Sequence, residues 1–419
     1  MFRPSLIRGL SAEVPDVSGY GLGRSRRASL SAEQRRKLSM LRTSSIPTAL
    51  TPVSHIYHLV PCPRKCCTQK YVVSTDRSGD IHVHVQGIVP KFSQGDLSQQ
   101  DKRCVFLTVH DLGTNHSSLV DFVNSPAMTE IKERSCFIHV DVPGHEENSP
   151  DLPDSYQFPS LQTLGEDLIT VLDFLHVRYA VGIGEGAGAN VLARCGLAHP
   201  RRLLGLILVN CTASTSSVAD AFRSRFSRWR GADISQSEED FLIYHKFGHV
   251  SYASELIGFR YKQIQIDSCE VGERERMLLE YRSRLRGNLN THNIKLYVKA
   301  FINRKDLILR GCQPDILLIT GLLSPYSSVV EKMYKELDKD KVTILKIEKV
   351  GDVLAEAPAK VAQSLLLFCQ GQGLLTSLPP PGVERRMSRA MSMEEYDKPN
   401  IRRLSLTPSV PESPPSRKL

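Results

Sequence analysis

The residues with the strongest chemical grammar are Gly184-Glu185-Gly186-Ala187-Gly188 within "RYAVGIGEGAGANVLARCGLAHP", residues 178–200. Glycines crowded around a central residue are the spelling of a strand-to-helix elbow, in which a nucleophile is held up at the tip of a sharp turn, as in Gly-x-Ser-x-Gly. Here the tip is Gly186. Glycine has no side chain to deprotonate or to attack with, so covalent catalysis from that position is excluded. The partner roles of such an elbow, an acid after a later strand and a histidine after the last one, can be sought in chain order. The acid position falls on Leu322 in "ILLITGLL", and the base position on Asp352 in "KVGDVLAEAP". Leucine cannot orient an imidazole, and three vacated roles leave no acyl-transfer mechanism of the usual kind.

The same turn admits a second spelling, because Gly182-Ile183-Gly184-Glu185-Gly186-Ala187 satisfies G-x-G-x-x-G/A. A dinucleotide loop also asks for an acidic residue at the end of the following strand. "LLGLILVN" ends instead in Asn210, and Glu185 would face a pyrophosphate with like charge. No cofactor is expected. His110 and Asp111 in "HDLG" fall where hydrolases place the oxyanion-hole loop, and Asp141, Gly144 and His145 in "HVDVPGHEENS" fall beside it. His110, Asp111, Asp141, His145 and Glu185 therefore either line a vestigial pocket for a small ligand or peptide, or shape turns in which Asp111 bonds backbone amides. Ser117 and Ser118 read as helix caps. Ser117 or Cys195 is the candidate for a relocated nucleophile if the chain is an enzyme after all.

The elements that must position these residues alternate. "KYVVST" and "DIHVHVQG" read as a hairpin across Asp76-Arg77-Ser78-Gly79. The apolar runs "CVFLTVHD" and "CFIHVDVPG" flank a helix "SLVDFVNSPAM". In "LQTLGEDLITVLDFLHV", Leu161, Leu164, Leu168, Val171, Leu172 and Leu175 recur at helical spacing on one face. Strand "YAVGIG", the glycine turn, helix "ANVLARCGLAHP" and strand "LLGLILVNC" continue the alternation. It resumes later with "PDILLITG", "SVVEKMYKEL", "KVTILKIE" and "APAKVAQSLLLFCQG". Strands separated by helices of this length imply βαβ units and a mostly parallel sheet covered on both faces. Residues from about 215 to 305 interrupt the rhythm with charged helices "VADAFRSRFSRWR", "EEDFLIYHKFG" and "ERERMLLEYRSRLRG", a cap of the lid type. In the first of these, Phe222, Phe226 and Trp229 form a stripe among four arginines. That stripe packs on the sheet domain, or else docks a partner or lies on an anionic membrane surface. The sum is an α/β-hydrolase fold over residues 52–375 with a cap at about 215–305.

Composition bounds the alternatives. Of 54 Lys/Arg and 45 Asp/Glu, residues 1–51 and 376–419 hold 17 and 8, which leaves 37 of each between them, so the +9 net charge belongs to the two ends. A domain without a basic footprint argues against nucleic acid. No apolar run reaches the roughly 18–20 residues of a membrane helix, and the N-terminus lacks a signal-peptide h-region; the expected compartment is the cytoplasm. Ten scattered cysteines do not form the framework of a small secreted domain. His55, His58, Cys62, Cys66 and Cys67 are close enough to suggest zinc or lipid attachment, but no second ligand pair follows, and no metal is expected. Residues 1–51 and 376–419, rich in Ser, Arg and Pro, are expected to be disordered. Arg-Arg pairs precede Ser29, Ser39, Ser388 and Ser405, while Thr407 and Ser413 precede prolines. These are the marks of basophilic and proline-directed kinase substrates, and each phosphate adds about −1.5 to −2 charges.

At this point the chain resembles the N-myc downstream-regulated (NDRG) family, through "LTVHDLGTNHSSLVDFVNSPAM", "HVDVPGHEENSPDLPDSYQFPSLQTLGEDLITVLDFL", "GIGEGAGANVLARCGLAHPRRLLGLILVN" and "PAKVAQSLLLFCQGQG". The resemblance covers about residues 68–375. It implies an α/β-hydrolase-like protein without enzymatic activity, with glycine in the nucleophile position. It further implies a cytoplasmic protein linked to growth, differentiation, stress or trafficking, with phosphorylated tails. A signalling or adaptor role with protein partners is the expectation, and the Trp229 stripe adds a peripheral membrane pool as a further option.

Overall fold

The computed structural model describes residues 68–87, 103–214, 234–248 and 272–380. Residues 1–51 and 381–419, the cysteine cluster at 62–67, the Trp229 stripe and every expected phosphorylation site (Ser29, Ser39, Ser388, Ser405 and Thr407) lie outside the described residues, while the first five residues expected to begin the disordered C-terminal tail, 376–380, are described and bury Leu378 against the core. Eight strands form one sheet: β1 (Gln69–Thr75), β2 (Gly79–Gln86), β3 (Cys104–Val109), β4 (Ser135–Asp141), β5 (Ala180–Glu185), β6 (Leu203–Val209), β7 (Asp315–Gly321) and β8 (Val342–Ile347). Their spatial order is β1-β2-β4-β3-β5-β6-β7-β8. β1 and β2 pair antiparallel, as do β2 and β4; every other pairing is parallel.

The continuous apolar runs of the central strands are explained by burial on both faces. Along β3, Val105, Leu107 and Val109 belong to one core cluster, while Cys104 and Phe106 belong to the other. β6 divides in the same way, with Leu206 and Leu208 on one side and Ile207 and Val209 on the other. This is the two-residue strand period. The covering helices are α1 (His116–Asn124), α2 (Thr129–Glu133), α3 (Leu161–Phe174), α4 (Gly186–Ala198), α8 (Ser327–Glu336), α9 (Val353–Glu356) and α10 (Pro358–Gly371). The predicted apolar face of α3 is buried from Leu161 to Leu175. Its N-terminus is capped by Ser160, whose hydroxyl accepts from the Thr163 amide.

Two expectations shift. The helix predicted through "SLVDFVNSPAM" stops at Asn124 and resumes as a 3-10 turn at Pro126–Met128, because proline lacks the N–H that would continue the ladder. Its cap is Asn115, which accepts from the Ser117 amide and hydroxyl, so Ser117 and Ser118 are first-turn residues rather than caps.

The cap between β6 and β7 contributes α5 (Gln236–Phe247), α6 (Glu273–Gly287) and α7 (Thr291–Ile302). The last of these went unread in the sequence, and it is deeply buried: Tyr297, Val298 and Phe301 are at most 1% exposed. From its first turn, Asn293 Nδ2 donates to the carbonyls of Gly144 and Pro150, both at 2.9 Å, and its Oδ1 accepts from the Leu152 amide at 2.9 Å.

Candidate functional site

The turn from β5 into α4 is the elbow expected from the glycines, and the helix starts at Gly186 itself, three residues earlier than the sequence suggested. Gly186 sits at φ +51°, in the left-handed region that side chains rarely adopt. A Cβ there would also overlap the carboxylate of Asp111, and one at Gly188 would overlap the carbonyls of Val109 and His110. The tip is therefore bare for two reasons: the backbone conformation, and a neighbour that already fills the space a nucleophile would need.

That neighbour, Asp111, follows β3 and is 3% exposed. Its Oδ1 accepts from the Ala187 amide at 2.8 Å, and its Oδ2 lies 2.9 Å from His245 Nε2. In a hydrolase, the amide after the nucleophile stabilises the oxyanion. Here it is permanently engaged by a resident carboxylate. Burial opposes ionisation of Asp111, but His245, the Ala187 amide and Lys246 outweigh it and hold the carboxyl at about 2. His245 Nδ1 in turn contacts the Tyr326 hydroxyl.

Next along α5, Lys246 bridges the two remaining acids. Its Nζ donates to Glu185 Oε1 at 2.6 Å and lies 3.1 Å from Asp352 Oδ2; the side chains of all three are at most 5% exposed. Burial disfavours the ammonium, yet Asp352 and Glu185 raise its pKa above the ordinary lysine value. Burial, reinforced by Asp352 and Asp111, pushes the Glu185 carboxyl up to about 8 in spite of Lys246. One ammonium thus serves two carboxyl groups. Asp352 also caps α9, accepting from the Leu354 and Ala355 amides at 3.1 and 3.3 Å. The residue in the base position has become a structural anion. Leu322, in the acid position, is 46% exposed and its side chain takes no part in the cluster.

Above this floor lies a cavity of about 290 Å³, walled by α1 (Ser117, Asp121, Phe122), α6 (Met277, Tyr281, Arg284) and the α9 segment. Arg284 closes one side, reaching Asp121 at 2.7 Å and Glu280 at 2.5 Å. Three buried polar atoms in the lining have no hydrogen-bond partner: Glu185 Oε2, Tyr281 Oη and Ser125 Oγ.

Of the five residues read as lining a pocket or shaping turns, only Glu185 lines this cavity. His110 is a structural tie: its Nδ1 bonds the Asp111 carbonyl at 2.8 Å, and its Nε2 accepts from the Val142 amide at 3.1 Å. His145 is buried against Tyr297, and burial pushes its imidazole down to about 3. Asp141 turns instead toward His84 and His116. Neither candidate for a relocated nucleophile is activated. Ser117 Oγ donates to Asn115 at 2.6 Å, and burial pushes the Cys195 thiol up to about 12.

Sequence reading missed His245, Lys246, Tyr281 and Tyr326. A signal for the first two existed: they stand four residues after Phe241 and Leu242, on the buried stripe of an amphipathic helix, where a histidine and a lysine demand partners.

Comparison with known proteins places this geometry. The family model described as "Ndr family" matches residues 71–376. A Caenorhabditis elegans protein described as uncharacterized is 37% identical over 353 residues, covering 83% of this chain and 98% of its own. Protein NDRG3 of Xenopus laevis is 29% identical, covering 75% of this chain and 78% of its own. Among solved structures, a thermophilic esterase from Thermogutta terrifontis superposes with a TM-score of 0.53 at 14% identity, over 73% of this chain and 99% of its own. A hydrolase from Pseudomonas aeruginosa gives 0.51 at 18% identity, over 71% and 97%. At such identities these two establish the α/β-hydrolase fold and nothing further.

Proposed function

The chain belongs to the Ndr family, and from that premise we propose that it is a catalytically silent α/β-hydrolase-fold protein that acts as a signalling or adaptor component in the cytoplasm. The observation that carries this reading is the filled elbow: Asp111 occupies the space beside Gly186 and takes the Ala187 amide, while Lys246 ties Glu185 to Asp352. An ester could reach neither a nucleophile nor a free oxyanion donor there. Of the triad positions, Gly186 and Asp352 then serve the fold, while Leu322 is left facing solvent. The cavity above them is read as a surviving binding pocket for a small ligand or peptide, supported by its three unpartnered polar atoms.

In this reading, control comes through the tails, where basophilic kinases act at Ser29, Ser39, Ser388 and Ser405, and a proline-directed kinase at Thr407. A few phosphates would cancel the local positive balance and change which proteins or membrane surfaces the tails meet. The test is to treat the full chain with fluorophosphonate and iodoacetamide probes and with a panel of p-nitrophenyl esters. The expected result is no ester burst and no adduct mapping to the crevice. A stoichiometric burst with an adduct at Ser117 or Cys195 would overturn the silent reading.

A further inference from the structure

A second cluster lies on the hairpin side of the sheet, apart from the crevice floor. The β2/β4 register sets His82 opposite Asp141, which makes His84, two residues along, a diagonal neighbour of Asp141 on the same face. The first residue of α1, His116, completes the group from the other side. His116 Nδ1 lies 2.7 Å from Asp141 Oδ2, and His84 Nε2 lies 3.2 Å from the same oxygen; the three donor atoms all fall within 4.8 Å of one another. The two imidazoles stack with centroids 3.5 Å apart and planes inclined by 10°.

Two features of this arrangement resist explanation as a hydrogen-bond network alone. Although it is close to the carboxylate, His84 Nε2 makes no hydrogen bond and is buried. Asp141 already accepts from the His116 amide at 2.6 Å through its other oxygen, so it does not require a second imidazole to be satisfied. His116 Nδ1 and Asp141 Oδ2 bond one another directly, but the third converging donor, His84 Nε2, is left buried without a hydrogen bond, and a shared cation would satisfy it. With metal–ligand distances of about 2.0–2.2 Å, a tetrahedral ion holds its ligand atoms about 3.4 Å apart. The 3.2 Å from His84 Nε2 to Asp141 Oδ2 fits that spacing, whereas the 2.7 Å hydrogen bond from His116 must open by about 0.7 Å and one of the stacked rings must turn so that both ring planes contain the ion.

We propose that His84, His116 and Asp141 form a divalent transition-metal site of the zinc class. Two imidazole nitrogens and one carboxylate oxygen suit Zn²⁺, whereas Ca²⁺ and Mg²⁺ take oxygen ligands. Three protein donors leave one position for water, and the His116 side chain, 13% exposed, lies on the solvent side. The bound ion would clip strand β2, strand β4 and the start of α1 to one another. The proposal is independent of the silent-crevice reading, because no residue is shared between the two.

The test uses the full chain, with Cys62, Cys66 and Cys67 changed to serine in a parallel sample, since those thiols are a competing source of ligands. Co²⁺ titration is expected to give visible d–d bands at one ion per chain, without an intense ultraviolet thiolate band, and unchanged in the serine sample. His84→Ala and His84→Gln are expected to weaken binding at least about 100-fold, beyond what loss of a supporting contact costs, with circular dichroism confirming the fold. Zinc-edge X-ray absorption of the unaltered chain supplies a readout that needs no variant: two imidazoles and oxygen in the first shell are expected. A sulfur-containing shell, fewer than two imidazoles, a thiolate band, retained affinity in folded His84 variants, or no stoichiometric uptake would each overturn the assignment.

Discussion

The ends of β5 and β7 carry the two turns from which a hydrolase of this fold draws its nucleophile and its acid, and in this chain they have diverged in opposite directions. At Gly186 the missing side chain is replaced by a buried constellation of Asp111, His245, Lys246, Glu185 and Asp352. At Leu322 the missing acid is replaced by nothing: the leucine is half-exposed and pairs with no polar group. The difference follows from solvent. Polar groups enclosed in a low-dielectric crevice must neutralise one another when the reactive ones are lost, whereas a position open to water can drift without consequence.

Four measurements sharpen or break that contrast, in descending order of effect. Lys246→Met would leave Glu185 and Asp352 without their shared cation; urea denaturation is expected to show a loss of about 3–5 kcal/mol, and a loss below 1 kcal/mol would mean that the floor is hydrated. Gly186→Ser combines left-handed strain with an overlap on Asp111 and is expected to cost about 2–4 kcal/mol without generating esterase activity, since no free base stands beside it. The third measurement concerns pH. Glu185 is raised from 4.5 in the unfolded chain to about 8 in the folded one, so its contribution is fully present below pH 4.5 and is lost as pH climbs through 8. Glu185→Gln should therefore flatten the stability profile across that window, where the single-proton slope reaches at most about 1.4 kcal/mol per pH unit. Asp111 works in the reverse sense: held at about 2 against 3.8 unfolded, it adds stability above pH 3.8 that disappears as pH falls toward 2. Smallest of all, Leu322→Asp should shift stability by no more than about 0.5 kcal/mol and produce no burst with a p-nitrophenyl ester.

The sheet was legible because its signals are local: apolar runs of strand length, a leucine stripe at helical spacing, and glycines at an elbow. Emptiness at residue 186 was equally plain. What filled it was not, since Asp111 and His245 are 134 positions apart and only the folded cap brings them to 2.9 Å. Which of the two readings of the strand-end residues applies was hidden for a related reason. His110, Asp141 and His145 do converge near the carboxyl ends of strands, but strand-end position does not reveal which way a side chain turns, and theirs turn into backbone carbonyls, other histidines and Tyr297. Helix α7 went unread although Ile294, Tyr297, Val298, Phe301 and Ile302 recur at helical spacing with Lys295 and Lys299 off that stripe.

Asn293 carries one more implication. By grasping a loop of the sheet domain at three backbone points from the opening turn of α7, it makes this part of the cap an organ of the body rather than an appendage. Excising residues 215–305 would not yield a smaller soluble scaffold but would lay bare Tyr297's neighbours and orphan the Leu152 amide. Amide deuteration at Leu152 should accordingly report the integrity of the whole assembly, exchanging as slowly as the central strands do.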